Sequence, residues 1–262
     1  MYKRQAHASH KGSHGDVAVI GGEAMQAHGM GMTGAAMLAA QAALHGGAGR
    51  VILSLLGQTS ENCAAPADVM QRAWDQLDLS RLTVVAGCGG GQAIREKMAD
   101  LLTHSARLVL DADGLNALAQ NTHLQHLLRA RAKTSGALPT VITPHPLEAA
   151  RLLDCTTQAV QQDRLQAAQT LSDQLQCTVV LKGSGSVIAS PSQTPCINTS
   201  GNGLLATGGT GDVLAGLIGA RLAQGMDAHA AACQAVWQHG NVADHWPKGK
   251  ALTASRLAAS LH

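Results

Sequence analysis

Short runs of β-branched and aliphatic residues alternate along the chain with longer Ala- and Leu-rich stretches. The short runs predict strands at Val17–Ile20, Val51–Leu55, Thr83–Ala86, Leu108–Asp111, Thr140–Thr143 and Thr178–Lys182. The longer stretches carry helical spacing at Thr33–Leu44, with Thr33 as N-cap, at Gln92–Thr103, at Leu115–Arg129 with Asn121 as a point of interruption, and at Thr157–Leu175. Strand, helix, strand in repetition predicts an α/β fold with a mainly parallel sheet covered on both faces. Near-continuous apolar strands such as Val-Ile-Leu-Ser-Leu agree, because a strand covered on both faces needs no polar side.

The last third of the chain departs from that rhythm. Thr178–Lys182 and Ser186–Ser190 are joined by Gly183, Ser184 and Gly185, a hairpin signature. A Gly-rich polar stretch follows from Asn198 to Asp212, then three helices at Val213–Gln224, Ala228–His245 and Leu252–Leu261. No internal repeat and no linker divides residues 1–262, so a single domain is expected.

Composition narrows the function classes. The chain contains 262 residues with 45% hydrophobic and 14% charged positions, the profile of a folded domain. There is no Phe, one Tyr and three Trp, so Ala, Leu, Val and Ile fill the core, and a bound purine would lie between aliphatic side chains rather than on an aromatic shelf. A formal net charge of +2 with scattered Lys and Arg gives no nucleic-acid footprint. Six cysteines form no C-x-x-C, which lends no support to zinc or thioredoxin chemistry. Reduced, mostly buried thiols and a cytoplasmic location are expected. The polar N-terminus has no signal-peptide core, and Ala35 to Leu44 is too short to span a bilayer.

The chemistry-bearing residues cluster in Gly-rich turns at predicted strand ends. Ala206-Thr-Gly-Gly-Thr-Gly-Asp212 runs directly into a helix. Its amides and the helix N-terminus suit a nucleotide phosphate, and Asp212 in the first turn can accept a proton from a hydroxyl meeting a phosphoryl group. A helix-capping Asp212 beside a tight turn is the structural alternative. Asn202 and Gly203 extend the same loop. Lys182-Gly-Ser-Gly-Ser186 offers a cation and exposed amides for phosphate, or only a hairpin tip. Gly87-Cys-Gly-Gly-Gly91 lies where open α/β sheets bind ligands, although a plain connecting loop reads the same. Asp111 and Asp113 end the strand at i and i+2 and are expected to point the same way, to orient Mg²⁺–phosphate through water or fix a ribose; Asp113 can equally cap a helix. In Thr143-Pro-His-Pro-Leu-Glu148 the prolines hold His145 extended, and Glu148 enters a helix first turn, where it can reach Mg²⁺ through water or simply complement the helix dipole. His123, His126 and the N-terminal His7, His10 and His14 lack ligand partners and are expected to be solvated.

Gly29-Met-Gly-Met-Thr-Gly34 matches G-x-G-x-x-G by letter, but six residues separate it from the preceding strand, Val17–Gly22, and no acidic residue ends a second strand, so a Rossmann site is not expected. The same glycines fit a flap, and Ala35 and Ala36 would let a flat ligand approach. There is no Walker A sequence.

The order of these motifs is more specific than any one of them. Lys11-Gly-Ser-His-Gly-Asp-Val-Ala-Val-Ile-Gly-Gly22, Met32-Thr-Gly-Ala-Ala36, Gly87 to Gly91, Asp111-Ala-Asp-Gly-Leu-Asn-Ala-Leu118, Thr143 to Glu148, Leu181-Lys-Gly183 and Gly208-Gly-Thr-Gly-Asp212 appear in register. Together they resemble the ADP-dependent NAD(P)H-hydrate dehydratase family, a carbohydrate-kinase-like branch of the ribokinase superfamily, from about Lys11 to about Gln238. The resemblance implies a ribokinase-like three-layer sandwich. It implies dehydration of (S)-NAD(P)H hydrate with ADP (or ATP) as co-substrate and Mg²⁺. Asp212 would be the catalytic base. Lys182, Gly183, Ser184, Gly185, Ser186, Gly209, Thr210 and Gly211 would hold the nucleotide. Ala35, Gly89, Asp111, His145, Asn202 and Asp212 would meet the hydrated dinucleotide, with Glu148 reaching the metal through water. It further implies a homo-oligomer, a tetramer by family resemblance, and a separate NAD(P)H-hydrate epimerase, since the epimerase domain that some members carry is not expected here. Cys88 replaces a Pro and Leu204 a small residue of the usual pattern. A small-alcohol kinase of the same superfamily and a non-catalytic nucleotide-binding module are the rival readings.

Overall fold

The computed structural model describes residues 11–25, 29, 31–57, 65–134 and 136–261. Within them the chain builds β1 (Asp16–Gly21), α1 (Thr33–His45), β2 (Arg50–Leu55), β3 (Met70–Gln71), β4 (Thr83–Ala86), α2 (Met98–His104), β5 (Arg107–Leu110), α3 (Asp113–Ala119), α4 (Thr122–Lys133), β6 (Thr140–Ile142) and α5 (Pro146–Leu153). It continues through α6 (Thr157–Gln162), α7 (Arg164–Leu175), β7 (Thr178–Leu181), β8 (Val187–Ala189), β9 (Cys196–Ile197), α8 (Thr210–Ala223), α9 (Ala228–Asp244) and α10 (Ala254–Ala259).

The strands form one sheet in the order β3-β2-β1-β4-β5-β6-β7-β8-β9. All pairs from β3 to β7 are parallel; β7–β8 and β8–β9 are antiparallel. Alternate strand residues point to opposite faces, and two apolar cores result. Val17, Val19, Val85, Val109, Val141 and Val180 pack under α1, α8, α9 and α10. Ala18, Ile20, Val84, Leu108, Leu110, Ile142, Val179 and Leu181 pack under α2 to α7. This is the expected three-layer sandwich, and small side chains let the layers approach closely. Gly216 of α8 lies so near α1 that a β-carbon on it would sit 2.0 Å from the Ala39 carbonyl oxygen.

Several local expectations change. Helix α1 begins at Thr33 itself, so the N-cap position belongs to Met32, with no side-chain cap. The predicted Gln92–Thr103 helix opens as a 3₁₀ turn, Ala93–Lys97. The interruption at Asn121 is real: its side chain caps α4 by accepting from His123 N and Leu124 N. The predicted Thr157–Leu175 helix is also two helices. Asp163 accepts from Gln166 N and starts a new one, because a carboxylate there satisfies an otherwise orphaned amide. Strands β3 and β9, two residues each, carry no alternation for a sequence reading to find. Of the described cysteines, Cys88 and Cys177 are buried while Cys155 and Cys196 are exposed and Cys233 is half-buried, so thiols here are less sheltered than expected. His123 and His126 are exposed, as expected. His7, His10, Cys63 and Met30 of the Gly29–Gly34 stretch lie outside the described residues.

Candidate active site

The C-terminal ends of β4, β5, β6 and β7 all open on one edge of the sheet, and the N-terminus of α8 arrives beside them. The loops that follow those strands are the positions where a parallel α/β sheet can gather side chains from distant parts of the chain.

Lys182, directly after β7, is the hub. Its Nζ donates to Asp111 Oδ1 at 2.6 Å and lies 3.9 Å from Glu148 Oε2. Burial opposes its charge, but Asp111 and Glu148 outweigh that and raise its pKa. Asp111 directly follows β5 and is 2% exposed; Thr143, directly after β6, donates its hydroxyl to the same Oδ1 at 2.8 Å. Arg164, at the start of α7, donates to the carbonyls of Leu181, Lys182 and Gly185 and so braces the turn over residues 182–186.

Asp111 and Asp113 do not point the same way. The strand stops at Leu110, and Ala112 takes φ 48°, a strained value for a residue with a side chain. The chain turns there. Asp113 opens α3 and accepts from Gly91 N at 2.8 Å, tying the glycine turn after β4 in place instead of joining Asp111.

His145 sits at φ −78°, ψ 168°, the extended conformation expected between two prolines. It forms a reciprocal cap with Glu148. His145 Nδ1 accepts from Leu147 N and Glu148 N, and Glu148 Oε2 accepts from His145 N at 2.8 Å. With Nδ1 used as an acceptor, the ring proton belongs on Nε2, 3.3 Å from Glu148 Oε1. Burial and then Lys182 lower the His145 pKa, which favours this neutral form. Burial lifts Glu148 to about 7, against the pull of Lys182 and the His145 amide. A buried carboxylate this poorly compensated fits a nearby cation, so Glu148, with Asp111, suits magnesium held through water.

Helix α8 supplies the remaining wall. Gly209 holds its N-cap position at φ 91°, a left-handed conformation natural to glycine. Gly211 faces the hub: a β-carbon on it would be 3.5 Å from Lys182 Nζ and 3.9 Å from Asp111 Oδ2. Asp212 stands in the first helical turn. Its carboxylate accepts from its own backbone N–H, one of the amides left unpaired at the helix start, while it also faces Asp111 and Cys88. Burial, followed by the charge of Asp111, lifts Asp212 to about 6, while a hydrogen bond from Cys88 works the other way. Burial keeps the Cys88 thiol protonated, its pKa raised well above the ordinary value, so it serves as a donor. Ligand atoms of Cys88, Asp111 and Asp212 lie within 4.8 Å of one another. His239 of α9, held neutral by burial with a pKa of about 4, lies with Nε2 2.9 Å from Thr210 O and braces the helix start.

The structure thus brings together Asp111, His145, Glu148, Lys182, Gly211 and Asp212. Gly89 approaches Ala35 on the adjoining wall, where its β-carbon would be 3.0 Å from that of Ala35. Gly183, Ser184, Gly185 and Ser186 form the turn beside Lys182, and Ser186 Oγ donates to Gly183 O. Asn202 is different: its amide nitrogen donates to Ala243 O and Asp244 Oδ1, and its oxygen accepts from Leu204 N, so its side chain serves the loop itself. Thr143, Arg164 and His239 were not singled out from the sequence. Thr143 opens the Thr-Pro-His-Pro motif and was there to be found; Arg164 and His239 act across 17 or more positions, beyond any local pattern.

The model of the NAD(P)H-hydrate dehydratase family matches residues 17–261. An ADP-dependent (S)-NAD(P)H-hydrate dehydratase of Neisseria meningitidis is 39% identical over 269 residues, covering 100% of this chain and 87% of that protein. A bifunctional NAD(P)H-hydrate repair enzyme of Escherichia coli is 37% identical over 90% of this chain, which spans only 44% of that longer protein. Among solved structures, the ADP/ATP-dependent NAD(P)H-hydrate dehydratase of Bacillus subtilis, co-crystallised with ATP and Mg²⁺, superposes with a TM-score of 0.79 at 28% identity, covering 98% of this chain and 91% of that one. A ribokinase-like superfamily protein of Enterococcus faecalis reaches a TM-score of 0.80 at 24% identity, covering 98% and 89%, a likeness of fold.

Proposed function

Given that the chain belongs to the NAD(P)H-hydrate dehydratase family, we propose that it converts (S)-NADH and (S)-NADPH hydrate back to NADH and NADPH, with ADP as the phosphoryl donor. The observation that carries this reading is Asp212. It is a largely buried carboxylate in the first turn of α8, with its pKa at about 6, beside the cradle that Gly209 to Gly211 and Lys182 form.

The hydrate carries a hydroxyl on the carbon next to the nitrogen of the reduced nicotinamide ring. Asp212, ionised above pH 6, accepts the hydroxyl proton as that oxygen takes the terminal phosphoryl group of the nucleotide. Phosphate then leaves, expelled by the ring nitrogen's lone pair, and loss of a proton from the neighbouring carbon restores the double bond. Gly209, Thr210, Gly211 and the turn from Lys182 to Ser186 hold the nucleotide phosphates with amides and one ammonium group. Gly89, Ala35 and the His145 Nε2–H meet the dinucleotide, and Asp111 fixes Lys182. Asn202 shapes the loop of this wall. Glu148 and Asp111 would hold Mg²⁺ through water, and the ion would supply neutralisation of phosphate charge. An NAD(P)H-hydrate epimerase supplies the S form, and the chain works as a homo-oligomer, a tetramer, in the cytoplasm.

The test is recovery of NADH absorbance from the purified S hydrate with and without ADP and Mg²⁺. Asp212→Asn is expected to bind nucleotide with near-normal affinity and to lose dehydration by a factor of at least 10³. Near-normal turnover in that variant would remove the assigned base, and a stable phosphate ester as product would mark an alcohol kinase instead.

A further inference from the structure

On the flank of the sheet, β9 and the first turns of α9 bring together three side chains that the reading above leaves unused. His229 and Cys233 are four positions apart on α9, hence on one helix face. Cys196 meets them from β9. Its Sγ lies 3.6 Å from His229 Nε2, and one ligand atom each from Cys196, His229 and Cys233 all lie within 4.8 Å of one another. The other ring nitrogen is anchored: His229 Nδ1 is 2.8 Å from Ser190 Oγ, which is 2.9 Å from Thr178 Oγ1. An imidazole held in this way through Nδ1 aims Nε2 at the sulfurs, the arrangement in which histidine binds a metal.

The spacing also has the right size. A tetrahedral zinc ion about 2.3 Å from sulfur and about 2.0 Å from nitrogen holds its sulfur and nitrogen ligands about 3.5 Å apart, within about 0.1 Å of the distance seen here. Both thiols are free.

We propose that Cys196, His229 and Cys233 form a binding site for a zinc-class divalent transition-metal ion, its fourth position open to water. Two thiols give up their protons to solvent as two sulfur–metal bonds form, and the neutral imidazole adds the third. Thiolate ligands discriminate against magnesium, which takes oxygen, so this site and the proposed reaction draw on different ions. Asp227 is occupied in capping α9 through Ala230 N and is not needed as a ligand. The ion clamps the last strand of the sheet to α9. The residue after that strand is hydrogen-bonded to the nucleotide turn: Asn198 N donates to Ser186 O at 2.8 Å.

Cobalt(II) titration of the tag-free full chain, kept reduced with a phosphine, tests the site. One cobalt per chain is expected, with the charge-transfer absorption that marks thiolate ligation, and zinc should displace it. Cys196→Ser and Cys233→Ser should each abolish the band. Ser190→Ala, which only releases His229, should weaken zinc binding roughly tenfold. Absence of a stoichiometric thiolate–cobalt band in the unmodified chain overturns the proposal, as does a band that survives both serine variants or disappears in Cys88→Ser instead. A Cys196–Cys233 disulfide formed in air, without cobalt binding when reduced, would also overturn it. Circular dichroism confirms that each variant is folded.

Discussion

Gly211 shows how little material separates structure from chemistry at this site. It occupies the first turn of α8, where alanine is a better helix former by about 1 kcal/mol. An added methyl would be in ordinary contact with Lys182 and Asp111 without clashing, but it would stand in the space left for a phosphate. Gly211→Ala is therefore expected to melt no lower than the parent chain, while ADP affinity, measured by calorimetry, falls at least tenfold. Equal loss of both would mean that the glycine serves the helix alone. At this scale the sequence was informative where a residue type carried its own chemistry. Asp212 before a helix, Lys182 before a glycine turn and His145 between prolines were each visible. The divergence of Asp111 and Asp113 was not, because it depends on the backbone of Ala112 turning through a conformation that no side chain advertises.

At the scale of elements, the closest joint is α1 against α8. Ala36, Ala39, Ala40 and Ala43 line one side, and Gly216 lets the other backbone settle onto it. Gly216→Ala must push the helices apart, at a cost expected near the upper end of the ~1–3 kcal/mol typical of overpacking. Urea denaturation should show it, and a loss below about 0.5 kcal/mol would mean that the joint yields easily. The residues that read as helices and strands did so because their apolar positions recur with a period that packing requires. Where an element is too short to repeat, as in β3 and β9, that signal is lacking. Asp163 teaches the opposite lesson. Its capping signature was present, but the apolar spacing on both sides masked the break, since α6 and α7 bury the same kind of face.

For the molecule as a whole, the site has a thermodynamic signature. Asp212 is raised from an ordinary carboxylate value to about 6, so the folded chain holds that proton more tightly than the unfolded one. Its contribution to stability is complete below about pH 4 and is lost as pH rises through 6. Asp212→Asn removes that penalty. It is expected to be about 2 kcal/mol more stable than the parent at pH 7.5, a discounted share of what a two-unit shift carries, and to match it near pH 4. Melting curves at the two pH values check the sign: a variant less stable at pH 7.5, or a gap that persists at pH 4, contradicts it. A mainly parallel sheet covered on both faces was legible in the alternation of apolar runs with helical spacing, and the glycine-rich turns at the strand ends marked where the site would lie. The grouping of Cys196 with His229 and Cys233 was not, because the absence of a C-x-x-C spacing says nothing about thiols joined by folding.

Among the described residues, both border strands of the sheet are only two residues long, β3 on one side and β9 on the other. So short a margin presents few unpaired amides and carbonyls, and it cannot template the growth of a ribbon from one molecule to the next. Copies of this chain that meet are expected to do so through their helical coats, where Trp237 of α9 stands exposed, and not by lengthening the sheet.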